Sequence, residues 1–277
     1  MINDWLSYNL KHPPGYSSFR LIDVTEKVSP NTAIQEYLAD NVLQGYRNLE
    51  HLRRLFTTLS EADLRSYLER KVFPADTTTL VRNVRQGDFG EILASLIVSY
   101  FEGLTVPIHK MRHKFNKDRS VFCTDMIAHN TGPTINDIYY YEIKTRQNIQ
   151  LEGEAPNRHF VTVLAHNSLK KDEQEASEGI ADFLVRLYAG QNDFDSAAKY
   201  LDIVLHPDNY SRKFELYIIV EKSKYKIDIL TALDSLPPSL IPLGVTVVLI
   251  EHLDRLVKDI YALVSERTVH EIFPPSV

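Results

Sequence analysis

Apolar positions recur at helical spacing between residues 89 and 101. Phe89, Ile92, Leu93, Leu96, Ile97, Tyr100 and Phe101 form one stripe, which predicts an amphipathic helix opened by Gly87-Asp88-Phe89-Gly90-Glu91. Glu91 falls in the first turn of that helix, off the centre of the stripe. Three strands are predicted next, at 104–111, 121–128 and 138–146. The third, Ile138-Tyr-Tyr-Tyr-Glu-Ile-Lys-Thr-Arg146, is rich in the residues that suit a pleated, half-buried surface. Residues 160–165 fit either strand or helix. A helix over 172–191 follows, with Ile180, Phe183, Leu184, Leu187 and Tyr188 on one face, and then a strand over 214–221. The unbroken apolar run Val245–Ile250 reads as a strand covered on both faces. Leu253, Leu256, Val257, Ile260 and Val264 line a last helix, and the Pro274–Val277 tail is expected to be mobile.

The first 83 residues are less regular. Ser18–Asp23 suits a strand, residues 31–57 carry an imperfect helical period, and Ser60 is placed to cap a helix from Glu61 to Lys71. The expectation is a mostly helical N-terminal lobe over 1–83, available to a partner, followed by an α/β domain over 84–277. Helices that flank a mixed sheet are the architecture this order implies.

Composition narrows the picture only slightly. The 277 residues are 44% hydrophobic and 25% charged, as in an ordinary globular chain. A net charge of −6 argues against coating nucleic acid by bulk charge, though not against a local basic groove. Cys123 is the only cysteine, so no intrachain disulfide can form. No signal peptide and no apolar run of membrane-spanning length is evident, which makes a cytoplasmic location without membrane association the expectation.

The chemistry is concentrated on the third strand. Glu142 and Lys144 are two residues apart, so they project from the same face of a strand that is otherwise apolar. Charges are seldom buried unless paired or bound to metal, and a rule broken inside a consistent element points to function. Asp125 lies on the preceding strand; if the two strands pair, its carboxylate meets that of Glu142. Two carboxylates suit a hard divalent cation such as Mg2+, with Mn2+ as a substitute, and a neighbouring lysine can orient a water or stabilise developing charge. Glu91 is the candidate fourth member. The segment 110–119 carries five Lys/Arg against one Asp. Lys110, Arg112, Lys114, Lys117 and Arg119, with Arg146 beyond the third strand, are therefore candidate phosphate contacts. His109 and His113 share this region and are read as non-metal residues.

A helical Glu, a strand Asp, and then Glu-x-Lys, in a helix–strand–strand–strand–helix–strand order, resemble the PD-(D/E)XK nuclease superfamily. The matching residues are Glu91, Asp125, Glu142 and Lys144; Thr124 stands where the superfamily's variable proline would be. More narrowly, Gly87–Glu91, Tyr141–Arg146 and Val245–Ile250 with the helix after it resemble the HamA family, the nuclease subunits of the bacterial Hachiman anti-phage system. The resemblance implies a restriction-endonuclease-like core. It also implies a metal-dependent DNA nuclease that works beside a superfamily 2 helicase of the HamB type.

Simpler readings compete at each position. Glu142 and Lys144 also fit a charge pair at a sheet edge. Glu91 also fits a carboxylate that favours a helix N-terminus. The basic run also fits a solvated loop, and Cys123 a small core residue rather than a nucleophile. The rival to the whole is a nuclease-fold module that does not cut and instead binds and regulates a helicase. A second Glu-x-Lys triplet, Glu69-Arg-Lys71, falls at a predicted helix end and receives no role.

Overall fold

The computed structural model describes residues 1–11, 16–119, 124–132, 134–148, 160–176 and 179–274. Seven strands form one mixed sheet in the order β1-β2-β7-β6-β5-β4-β3. They are β1 (Leu6–Lys11), β2 (Arg20–Glu26), β3 (Leu104–Thr105), β4 (Met126–Asn130), β5 (Asp137–Arg146), β6 (Ser211–Glu221) and β7 (Leu243–Ile250). The four central strands β2, β7, β6 and β5 are parallel; β1, β4 and β3 run antiparallel at the two sides. The helices are α1 (Ile2–Trp5), α2 (Thr32–Tyr46), α3 (Leu49–Leu55), α4 (Glu61–Tyr67), α5 (Thr79–Ile97), α6 (Val161–Ala176), α7 (Gly179–Gly190), α8 (Phe194–Leu205), α9 (Asp228–Asp234) and α10 (Leu253–Ile272).

The expected α/β architecture is present, with helices on both faces of the sheet. Side chains alternate across β5 and β6 and divide the core in two. Tyr141, Ile143, Tyr217 and Ile219 pack with Tyr46, Phe89, Ile92 and Val257, under α2, α5 and α10. Ile138, Tyr140, Leu216 and Ile218 pack with Val161, Leu169 and Leu184, under α6 and α7. β7 lies between β2 and β6, which explains its unbroken apolar run: only Leu249 is less than buried.

Residues 1–83 are mostly helical, but they also complete the sheet. β2 pairs in parallel with β7, and Trp5, fully buried, shares a core with α10. The boundary expected between residues 83 and 84 falls inside α5. Nothing local in residues 20–26 announces a partner more than 200 positions later in the chain.

Several element boundaries differ from expectation for identifiable reasons. The helix expected to open at Gly87 starts at Thr79, where the Thr78 hydroxyl accepts from the Val81 N–H. Glu91 is thus well inside the helix, and the helix-N-terminus reading of it fails. The strand expected at 104–111 stops after Thr105; Pro107, which has no N–H to donate to a ladder, follows, and Lys110–His113 is a 3-10 turn. Residues 31–57 form two helices because the Asn48 side chain caps a new one by accepting from the His51 N–H. Ser60 caps α4 as expected, reciprocally with Asp63. Residues 160–165 enter a helix, and the helix expected at 172–191 is shared between α6 and α7. Residues 121–123 of the expected 121–128 strand, Cys123 among them, and the last three residues of the tail lie outside the described residues.

Candidate active site

β4 and β5 pair antiparallel with Met126 opposite Tyr141. One step further, Asp125 faces Glu142. Asp125 stands just before β4 rather than within it, and its Oδ2 accepts the Ile143 N–H at 2.8 Å. That bond fixes the carboxylate to the backbone of β5 beside Glu142.

Glu142 and Lys144 share the α6 face of β5 and hydrogen-bond each other, Lys144 Nζ to Glu142 Oε1. Glu142 is only 2% exposed. Burial, with the Asp125 charge adding to it, pushes the Glu142 carboxyl up to about 7, against the pull of Lys144 and the Ser168 hydroxyl. Burial pulls Lys144 down, but Asp125 and Glu142 outweigh it and hold the ammonium above its ordinary value. Lys144 therefore remains a proton-bearing donor beside two carboxylates.

Glu91, on α5 at the opposite face of the sheet from α6, is within electrostatic reach of Asp125. Burial raises its carboxyl well above the usual range, and the charges of Asp125 and Asp88 add to the effect, while Lys110 and Lys114 oppose it. What brings α5 so close is Gly90: a Cβ there would lie 1.7 Å from the Thr145 Oγ1 on β5. The charge of Asp125 is thus felt by Glu91, Glu142 and Lys144 together.

Two members of the surroundings were not anticipated from sequence. Ser168 and Asp172 are one turn apart on α6. Ser168 bonds Glu142, and Asp172, raised by burial and by Asp125, is bonded by the Thr124 hydroxyl. The i, i+4 spacing of a hydroxyl and an acid was available as a signal, but only once residues 160–176 were known to be helical.

The basic segment is less open than its charge suggested. Lys110 is buried; its Nζ donates to the Thr124 carbonyl at 2.8 Å and lies 3.8 Å from Asp125 Oδ1. It serves as a counter-cation to the acid cluster. Lys114 bonds buried Asp88 at 2.6 Å, Arg112 holds the Gln44 carbonyl at 2.8 Å, and Lys117 pairs with Asp118 at 2.9 Å. Arg119 is exposed, and Arg146 lies at the end of β5, close enough for its charge to act on Lys144. Four of the six proposed phosphate contacts are thus engaged within the chain. His113 packs edge-on against Phe183, and burial drives His109 down to about 4.

Among the described residues no three His, Cys, Asp or Glu side chains form a ready-made metal cage. The donor set that is present, Asp125 and Glu142, is all oxygen. Magnesium sites commonly use one or two carboxylates and complete their shell with water and substrate phosphate. The two carboxylates stand side by side with oxygen donors only, so the residues fit Mg2+ or Mn2+.

A model of the HamA family matches residues 1–264. The chain belongs to that family. The match takes in the strand–helix N-terminus, the acid cluster and most of α10, so membership rests on the whole fold and not on one motif. HamA membership makes the chain a component of the Hachiman defence system. A search of curated proteins found no match. Among the described residues no helix is long and apolar enough to cross a membrane.

Proposed function

We propose that the chain is the metal-dependent DNA nuclease of a Hachiman module, hydrolysing phosphodiester bonds and working with a HamB-like superfamily 2 helicase. The observation that carries this reading is the convergence of Asp125, Glu142 and Lys144, with Glu142 buried beside a second carboxylate.

Asp125 and Glu142 would hold Mg2+. When bound, the ion supplies positive charge at the scissile phosphate and acidifies a nearby water. The chain's own residues do the rest. The Ile143 N–H holds Asp125 in place, so the metal-binding oxygen is aimed before substrate arrives. Lys144 Nζ keeps its proton and donates it in a hydrogen bond, either to the attacking water or to the phosphoryl oxygen that gains charge. Glu91, its carboxyl raised by burial, favours its protonated form more than an ordinary glutamate does and is suited to hand on a proton rather than to bind metal. Lys110 offsets the summed negative charge, so the carboxylates can coexist before a cation arrives.

The test is cleavage of supercoiled plasmid with Mg2+, by wild type and by Lys144→Ala, each alone and with the helicase subunit plus ATP. Cleavage by wild type alone or only with the partner, absent in the folded variant, supports the reading; the second pattern also makes the helicase its gate. Equal cleavage by both proteins overturns the assignment of Lys144. No cleavage by wild type under either condition favours the non-cutting, helicase-regulating module.

A further inference from the structure

A cleft of about 610 Å3 opens at the carboxyl end of β5, between the first turns of α5 and of α10. It is separate from the acid cluster but continuous with it through one strand. Arg146 lines the cleft and is two residues beyond Lys144, a rise of roughly 6.6 Å in a strand. That interval is close to the spacing of successive phosphates along a nucleic-acid strand.

The lining is cationic and rich in neutral donors. Arg146 and Lys258 form no ion pair with any described residue, whereas Arg82 is tied to Asp76 at 3.2 Å. Asp76 and Asp254 are the two acids of the lining, outnumbered by the arginines and Lys258. Gln86, 91% buried, sits in the lining with its Nε2 lacking any hydrogen-bond partner. An unpartnered buried amide donor is costly unless something supplies an acceptor. Gln147 and Asn148 add further amides where the chain leaves β5. Gln147 and Asn148 after β5, and the start of α10 after β7, meet here at the carboxyl ends of parallel strands, where open α/β sheets take their ligands.

We propose that this cleft holds the phosphodiester backbone of the nucleic acid next to the bond that is cut. Arg146 and Lys258 neutralise phosphates, and the exposed Gln147 and Asn148 amides donate to phosphate oxygens. The contacts are to backbone and not to base edges, so the site positions any sequence. The inference rests on the nuclease reading for its substrate, but its test involves no cleavage.

The test is fluorescence anisotropy of the full chain with labelled single strands and duplexes of three unrelated sequences, in EDTA, across a salt series. Arg146→Ala and Lys258→Ala are each expected to weaken binding about tenfold at 0.1 M salt, equally for all three sequences. Each should also reduce the slope of log K against log salt by about 1. Lys258→Arg should restore binding, and Arg54→Ala, an exposed residue on α3, should leave it unchanged. Thermal melts confirm that each variant is folded. Wild-type affinity in both cleft variants overturns the proposal. So does an equal loss in Arg54→Ala, or no binding by the wild type. Glu142→Gln, run in parallel for cleavage with Mg2+, separates the two ideas: if it cuts like wild type the nuclease site is wrong, while the cleft stands or falls on binding alone.

Discussion

Gly90 of α5 lies so close to Thr145 of β5 that a Cβ on the glycine would sit 1.7 Å from the threonine hydroxyl and 2.9 Å from its Cβ. Thr145 is itself buried, and its Oγ1 has no hydrogen-bond partner. The helix that carries Glu91 is therefore pressed onto the strand that carries Glu142 and Lys144. Gly90→Ala is expected to destabilise the fold by about 3 kcal/mol, at the upper end of overpacking costs, because the obstacle is a stiff β-branched side chain. Thr145→Ala in the same chain should recover part of the loss, since it removes the clashing oxygen. Urea midpoints of the two single variants and the double variant give the coupling. Additive effects would show that the close approach is not what limits the position.

Lys114 was a candidate phosphate contact, and its geometry predicts something else. Its ammonium is the ion-pair partner of Asp88, which is 3% exposed and also accepts from the Tyr46 hydroxyl. Burial raises the Asp88 carboxyl, and Lys114 is the largest influence holding it down. Removing the cation leaves a buried carboxylate without its pair. Lys114→Ala should cost about 3–5 kcal/mol at pH 8, with DNA affinity per folded molecule unchanged. Chemical denaturation and anisotropy measured on the same preparation separate the two roles. A stable variant that binds DNA poorly would return Lys114 to the substrate interface.

Gly90 and Lys114 mark how far the sequence could be read. The strand carrying Glu142 and Lys144, the apolar run of β7 and the helix α10 were legible because their patterns are local: a period of two, an unbroken run, a period near four. The Asp125–Glu142 meeting was legible as a conditional, since it needed only that two neighbouring strands pair. Gly90 stands in the Gly87–Glu91 motif with no local reason for a glycine, because what requires one there is a residue 55 positions later. Charge was the poorest guide. The 110–119 run looks the same in sequence whether Lys110 and Lys114 face a phosphate or face Asp125 and Asp88, and only the packing of α5 decides. Ser168 and Asp172 were hidden for a related reason, as residues 160–165 fit two periods equally well.

Glu142 should display the conflict between chemistry and stability directly. The carboxyl is pushed up to about 7, so near neutral pH it is only partly ionised until a cation is present. Metal binding requires the ionised form and releases a proton. Cleavage at limiting Mg2+ should therefore climb as pH rises from about 6 to 8, and raising Mg2+ should shift the rise to lower pH. Glu142→Gln and Lys144→Ala should each lose at least about 100-fold in rate. Yet Glu142→Gln should unfold at pH 8 no more easily than wild type, since the charge it removes is one the fold holds against its preference. A pH-independent rate in wild type, or a Glu142→Gln protein that melts far below it, would place the titrating group elsewhere.

Glu215 offers a pH prediction free of the active-site chemistry. It is 3% exposed on β6, bonded by Arg20 at 2.6 Å, and its Oε2 has no partner and sits against Gly244. Burial lifts its carboxyl from 4.5 to about 7 in spite of Arg20. In the unfolded chain the group keeps its ordinary value. Between pH 4.5 and 7 the folded protein therefore binds more protons at this position than the unfolded one, and stability falls as pH rises through that window. A shift of this size corresponds to roughly 3 kcal/mol of stability present below about pH 4.5 and gone above about pH 7. Glu142, Glu91 and Asp88, also raised, contribute slopes of the same sign, so wild type alone does not isolate Glu215. The comparison that can is wild type against Glu215→Gln, in urea at pH 5.5 and at pH 8. The variant should be more stable relative to wild type at pH 8 than at pH 5.5, because glutamine keeps the shape and carries no charge to bury. If the difference between the two proteins does not change with pH, Arg20 compensates the buried charge fully and Glu215 titrates as it would in water.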